Sequence, residues 1–259
     1  MRSSTLSSFA GQAALPGGKA DSLSESAWDT ARREAYEEIG LAVNDQQLPF
    51  PFKIEHLCQL PINLARTELG VMPCVAFLHA QDADSKVTAD VESNMIPRLD
   101  AKEVAAVFSA PFHNFLYAED EGNSEELSAL PGNPSDWYKG TWTYWHESPW
   151  RMHNFRVPVT SRTVARPRPK GRDQKLATER LKEIKQKGSV RRFRVFGMTA
   201  RILVDAARIA YQQEPEFEHN SHFGDEDIIH RLQKLGRLGE IRKPGEELTR
   251  EVLEKAAKI

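Results

Sequence analysis

Cysteine is scarce in this sequence: Cys58 and Cys74 are the only two among 259 residues. They have neither the paired spacing of zinc ligands nor the density of a disulfide scaffold. They therefore read as buried thiols of a protein kept in a reducing compartment, with a disulfide between them as the less common alternative. Long apolar runs are missing too. No stretch approaches the roughly 20 residues of a membrane helix, and the N-terminus has no hydrophobic signal core, which predicts a soluble, intracellular protein with no membrane partner. An excess of one charge is also lacking, since 35 Lys and Arg face 37 Asp and Glu for a net charge of −2. A globally basic nucleic-acid binder is thereby excluded. What remains, 40% apolar and 28% charged residues, is ordinary for a globular chain long enough to bury a full core.

The charge is unevenly spread. Residues 162–194 hold thirteen Lys or Arg against Asp173, Glu179 and Glu183, a local charge of +10. This stretch starts as a Pro-rich linker, ARPRPKGR, and continues as a charged helix over 174–187. A solvated surface helix is the usual meaning of such a run; contact with a phosphate or a nucleic acid is the functional alternative.

Elsewhere the pattern predicts a helix from a Ser24 or Ser26 cap to Ile39, with Trp28, Ala31, Ala35 and Ile39 as its apolar stripe and Gly40 as its stop. Strands are expected over 52–60, 71–79, 152–159 and 192–197, with loops over 118–135 and an aromatic series, Trp137 to Trp150, leading into the third strand. A short strand or helix is expected over 101–108 and a helix near 113–117. Further helices are expected over 198–211, 225–235 and 246–258. The aromatic series reads as core and loop packing or as the wall of a base or pantetheine pocket. His56, His79, His113, His146 and His153 show no metal-ligand spacing and read as packing or surface groups.

The helix over 26–39 carries an unusual load. Arg33, Glu34, Glu37 and Glu38 crowd its second half, and Glu34 lies three and four residues from the other two glutamates, so the three carboxylates share one face. Like charges so spaced cost an isolated helix roughly 0.2–0.5 kcal/mol per pair, which makes sense if the face holds a hard cation. The bland reading is a solvated acidic helix paired with Arg32 and Arg33. Taken whole, Gly17-Gly18, Glu25 and then Arg33-Glu34-Ala35-x-Glu37-Glu38-x-Gly40-Leu41 resembles the Nudix box, the loop-helix-loop signature of hydrolases that cleave nucleoside diphosphates linked to another group. Six residues separate Gly18 from Glu25 where the family has five, a loop change that leaves the helix register intact. Upstream, Arg2-Ser3, Gly11, Pro16, Gly17 and Gly18 fall on a second signature, that of the coenzyme A diphosphatases of the family, including the peroxisomal type. Ser7 stands where that signature has its second arginine, and Leu15 where it has phenylalanine. Phe196-Gly197-Met198-Thr199-Ala200 resembles the run that opens the family's last helix.

The resemblance implies an α/β fold, a Nudix α/β/α sandwich with a mixed sheet. Residues 1–211 form the hydrolase domain, with a basic insertion at 161–189, and 212–259 a polar helical C-terminal extension. A strand of the family's sheet runs into Arg2-Ser3, yet Met1 directly precedes them here, so the sandwich is expected to lack its N-terminal strand. The implied chemistry is Mg²⁺- or Mn²⁺-dependent hydrolysis of coenzyme A or its derivatives to 3′,5′-ADP and a 4′-phosphopantetheine product. Glu34, Glu37 and Glu38 are the expected metal ligands, with Glu25 joining the shell and Arg33 orienting a carboxylate. Arg2, Ser3, Gly17 and Gly18 are expected to meet the substrate. Glu37, Glu38, Glu92 and Glu103 stand as alternatives for the general base. Other substrates in the same chemistry are a dinucleotide, ADP-ribose or an oxidised nucleoside triphosphate; an alternative from another class is a truncated, non-catalytic binding protein. The C-terminal Ala257-Lys258-Ile259 is loosely similar to the peroxisomal address Ser-Lys-Leu, although such an end more often belongs to a frayed helix, so peroxisome or cytoplasm is expected.

Overall fold

The first helix begins where a serine caps it. In the computed structural model, which describes residues 12–65, 67–81, 104, 106–121, 137–145, 148–158, 164–165, 192–239, 245 and 247–259, α1 spans Ala27–Ile39. Extended Ser26 accepts the Asp29 N–H on its hydroxyl at 3.1 Å, satisfying one of the four backbone donors a helix leaves open. At the other end Gly40 turns left-handed at φ 75°. The Gly40 and Leu41 N–H groups return to Tyr36 and Ala35 carbonyls, the reciprocal closure that a residue without Cβ allows. Trp28 and Ile39 pack from α1 onto Leu48, Phe52, Ile54 and Val104.

Strand β1, Phe52–Gln59, supplies that layer. The expected strand over 71–79 is split: β2, Asn63–Leu64, pairs with β3, Gly70–Val71, whereas β4, Cys74–Ala80, pairs with β1. Pro73, which lacks an N–H, sits at the break, and its carbonyl accepts the Leu60 N–H at 2.9 Å. Only the start of β1 is buried, so the reading of both cysteines as buried thiols is corrected. Cys58 is exposed beyond a bulge in β1, Cys74 is half-buried, and both are free.

The larger sheet is antiparallel in the order β6, β7, β9, from Tyr138–Trp145, Ser148–Pro158 and Arg192–Phe196. Residues 138–145 thus form a strand of their own where the sequence reads as an approach to one; alternating aromatics and threonines become a strand because β7 lies alongside to pair with them. Helix α2, Gly197–Tyr211, lays Ala200, Val204 and Ala207 on Phe155, Val157 and Val195 of this sheet, with Phe115, Leu116 and Trp137 closing the core. A two-residue pair joins β5, Val107–Phe108, to β8, Val164–Ala165, the latter being the described part of the insertion 161–189. All pairings among the described residues are antiparallel. The parallel pairing that a mixed sheet requires is therefore not observed among them. The expected helix near 113–117 is a single 3-10 turn, His113–Leu116.

The C-terminal residues are stitched into this frame. The Asn220 amide accepts the Arg151 N–H at 2.9 Å and donates to the Pro149 carbonyl at 3.0 Å, capping the part of β7 that extends past β9. Asp225 takes Arg201 Nη1 at 2.8 Å and the Leu64 N–H at 2.9 Å, and these groups are all buried. Helices α3, Glu226–Lys234, and α4, Arg250–Ala256, then close Leu232 and Ala256 over Leu64. No helix among the described residues is long and apolar enough to cross a membrane.

Under α2 runs a buried polar chain. Tyr138 Oη lies 3.0 Å from His153 Nδ1, His153 Nε2 2.7 Å from His219 Nδ1, and His219 Nε2 2.8 Å from Asp205 Oδ1. A carboxylate can only accept, which orders donation from Tyr138 through His153 and His219 to Asp205 when both imidazoles are neutral. Burial, and then the neighbouring His219, Arg151 and Arg201, push the His153 pKa down from 6.5 to about 3. Between those two values the unfolded chain binds a proton that the folded protein does not, so stability is complete above pH 6.5 and falls as the pH drops toward 3. The expected loss from this group is about 2 kcal/mol at pH 5. Urea midpoints measured from pH 7.5 to 5 check it: His153→Asn flattens the slope, and an unchanged slope in that variant contradicts the assignment.

Candidate active site

The crowding of carboxylates on α1 is resolved by one guanidinium. Arg33 Nε meets Glu25 Oε1 at 2.9 Å, while its Nη1 meets Glu34 Oε1 at 3.0 Å and Glu37 Oε2 at 3.3 Å. Its Nη2 donates to the Lys19 carbonyl at 3.0 Å, tying the loop before the helix to the same hub. The planar fork allows this, because it presents five donors in fixed directions. Hydrogen bonding from Arg33, then from the Asp21 N–H, holds the Glu25 carboxyl below its usual range, and Glu25 in turn raises Arg33. Arg32 behaves differently from the solvated ion-pair partner that the bland reading makes it. It is buried and donates to the Ala42 and Val43 carbonyls, locking the chain that leaves α1.

Of the expected site residues, the structure brings Glu25, Arg33, Glu34 and Glu37 together with Gly18. A Cβ built on Gly18 meets Glu34 Oε1 at 2.3 Å, so the absent side chain is what lets the turn close on that carboxylate. Gly17 adjoins it with nothing within 4 Å of its own Cβ position. Glu38 lines a cavity together with Pro16 and Ile39. Arg2, Ser3, Glu92 and Glu103 lie outside the described residues, as does the insertion apart from Val164–Ala165.

The donor set is chemically suited to Mg²⁺ or Mn²⁺: hard carboxylate oxygens on one helix turn, beside a glycine turn open to a ligand. These oxygens converge on Arg33, and among the described residues no three acidic, histidine or cysteine groups gather closely enough to hold an ion unaided.

Sequence reading missed the chain from His153 through His219 to Asp205. Its members are 66 and 14 residues apart, so no local spacing announces it. The burial of Arg201 and Asp225 was hidden for the same reason, although a charged residue on the apolar stripe of α2 is a faint signal of it.

The profile of the NUDIX domain matches residues 1–128. The chain is 37% identical over 123 residues to Peroxisomal coenzyme A diphosphatase 1, peroxisomal, of Saccharomyces cerevisiae, covering 44% of this chain and 36% of that protein. It is 29% identical over 216 residues to Nudix hydrolase 22, chloroplastic, of Arabidopsis thaliana, covering 83% of this chain and 50% of the relative. With Nudix hydrolase 15, mitochondrial, of the same plant it shares 35% over 124 residues, 48% of this chain and 37% of the relative. The chain thus spans a half or less of the length of these curated relatives.

The contact between Gly18 and Glu34 makes a specific expectation. Gly18→Ala displaces the flexible end of Glu34 at little cost in stability, but spoils its alignment, and Mn²⁺ affinity falls about tenfold or more. Calorimetric titration with Mn²⁺ alongside thermal unfolding checks this; unchanged Mn²⁺ affinity contradicts it.

Proposed function

The chain belongs to the Nudix hydrolase family, and from that premise we propose that it hydrolyses the diphosphate bond of coenzyme A or its derivatives, releasing 3′,5′-ADP and a 4′-phosphopantetheine product. The observation that carries the reading is the Arg33 fork, which gathers Glu25, Glu34 and Glu37 at 2.9, 3.0 and 3.3 Å beside the glycine turn. Water adds to one phosphorus as the bridging P–O bond breaks, and the departing phosphate keeps the bridging oxygen. The chemistry that Mg²⁺ or Mn²⁺ would supply, held by these carboxylates, is neutralising charge for the diphosphate and activation of the attacking water.

In this reading Glu34, Glu37 and Glu38 would hold the ion and Glu25 would complete its shell. Arg33 fixes the directions of Glu25, Glu34 and Glu37, so little reorganisation accompanies the reaction. Gly17 and Gly18 let backbone N–H groups approach a phosphate, and Arg2 and Ser3 bind the substrate as the second signature implies. Residues 1–211 act as the hydrolase unit and 212–259 as an extension that clamps it. Coenzyme A is favoured over other diphosphates by that second signature and by the similarity to the yeast coenzyme A diphosphatase.

Mass spectrometry of purified protein incubated separately with coenzyme A, ADP-ribose and 8-oxo-dGTP in the presence of Mn²⁺ tests the proposal. The expected outcome is 3′,5′-ADP from coenzyme A as the dominant product, abolished by chelation. Glu37→Gln lowers the rate about a hundredfold or more, because a ligand acting on transition-state charge is lost. Turnover of ADP-ribose or 8-oxo-dGTP ahead of coenzyme A redirects the substrate assignment, and metal-independent turnover overturns the mechanism.

A further inference from the structure

We propose that the cavity between α1 and α2 is a subsite for a compact, branched aliphatic group borne next to the substrate's diphosphate. This rests on the hydrolase reading and narrows its substrate class. The cavity has a volume of about 230 Å³. Glu38 and Ile39 of α1 face it from one side, Thr199 and Leu203 of α2 from another, and Leu15 and Pro16 form part of its wall.

Three features identify the occupant. The cavity adjoins the acidic face: its lining residue Glu38 follows Glu37 in the helix, and its lining residue Pro16 lies two residues before Gly18, whose Cβ position falls 2.3 Å from Glu34 Oε1. A diphosphate held at Glu34 and Glu37 therefore places its adjoining substituent against Leu15, Pro16 and Glu38. The lining is also almost wholly apolar. Among the described residues that line it, Glu38 and Thr199 alone carry polar side chains, and the Thr199 hydroxyl already donates to the Ala13 carbonyl at 3.4 Å. A polyhydroxylated sugar entering it would find the Glu38 carboxylate for one or two hydroxyls and leave the others without partners, whereas an aliphatic group loses nothing. Size sets the third limit. Apolar cavities of about 150 Å³ admit a benzene-sized molecule, and complete sites for drug-sized ligands occupy roughly 300–1,000 Å³. At about 230 Å³ this one is sized for a small group rather than for a complete drug-sized ligand.

Coenzyme A carries such a group in that place. The carbon bonded to the phosphate ester CH₂ of its pantetheine arm bears two methyls, where ADP-ribose has a ribose ring. The subsite thus reads the non-nucleoside half of the substrate at its first carbons, and the rest of the arm extends beyond it.

Two arms test the proposal, with 2,2-dimethylpropyl phosphate as the probe for direct binding. In thermal unfolding with Mn²⁺ present, this probe stabilises the protein more than inorganic phosphate or ribose 5-phosphate does, and Ala110→Leu, which fills the cavity, removes the difference. In kinetics, Ala110→Leu and Leu203→Phe each lower the ratio of kcat/KM for coenzyme A to that for ADP-ribose at least tenfold, chiefly through KM for coenzyme A. Equal loss on both substrates, or no change in the ratio, marks the cavity as a packing void and overturns the subsite. Absence of turnover on every substrate counts against the hydrolase reading alone. The binding arm then still decides: an excess stabilisation that the filling variant abolishes upholds the subsite, and no excess over inorganic phosphate overturns it.

Discussion

Charge neutralisation by Arg33 is the constraint on which the rest of the site depends. Glu34, Glu37 and Glu38 on successive turns of one helix repel, and Glu25 adds a fourth carboxylate from the preceding loop. A lysine in the same place offers one point charge, but the guanidinium fork reaches Glu25, Glu34, Glu37 and the Lys19 carbonyl at once. The loop and the helix are thereby joined by a single side chain. Because that side chain starts on α1, the Ser26 cap and the Gly40 closure that define α1 also define where the carboxylates stand.

Two adjacent arginines divide the labour. Arg33 faces the acids, and Arg32, one residue or about 100° earlier around the helix, is turned inward to bind the carbonyls after Gly40. One holds the chemistry together and the other holds the exit of its helix. Replacing either by a residue of the same charge loses directional bonds, which is why the pair does not reduce to a count of positive charges.

The sheet and the C-terminal residues show how buried polar groups make a fold specific. Asn220 satisfies an exposed strand edge, Asp225 joins Arg201 to the β2 backbone, and His219 completes the line from Tyr138 to Asp205. An arginine or carboxylate so buried is tolerable only with its partner present, since a lone charge there costs several kcal/mol. Residues beyond α2 are thus bound by obligation to the sheet, and α3 and α4 are placed over Leu64 as a result.

The amino-acid sequence by itself determined α1, its caps, the shared face of Glu34 and Glu37, and the likeness to the Nudix box, because all of these arise from spacings within about one to seven turns of chain. It also located β1, β9 and α2 closely, where apolar periodicity was strong. Strand β6 escaped it, since an aromatic and threonine-rich segment becomes a strand only when β7 is there to pair, and Cys58 proved exposed because burial depends on what covers a strand's far end. The histidine chain, the Asp225 anchor, the inward turn of Arg32 and the cavity beside Glu38 were decided by tertiary structure alone. Each joins groups distant in sequence, and only the assembled core sets the distance, the exclusion of water and the direction of each donor.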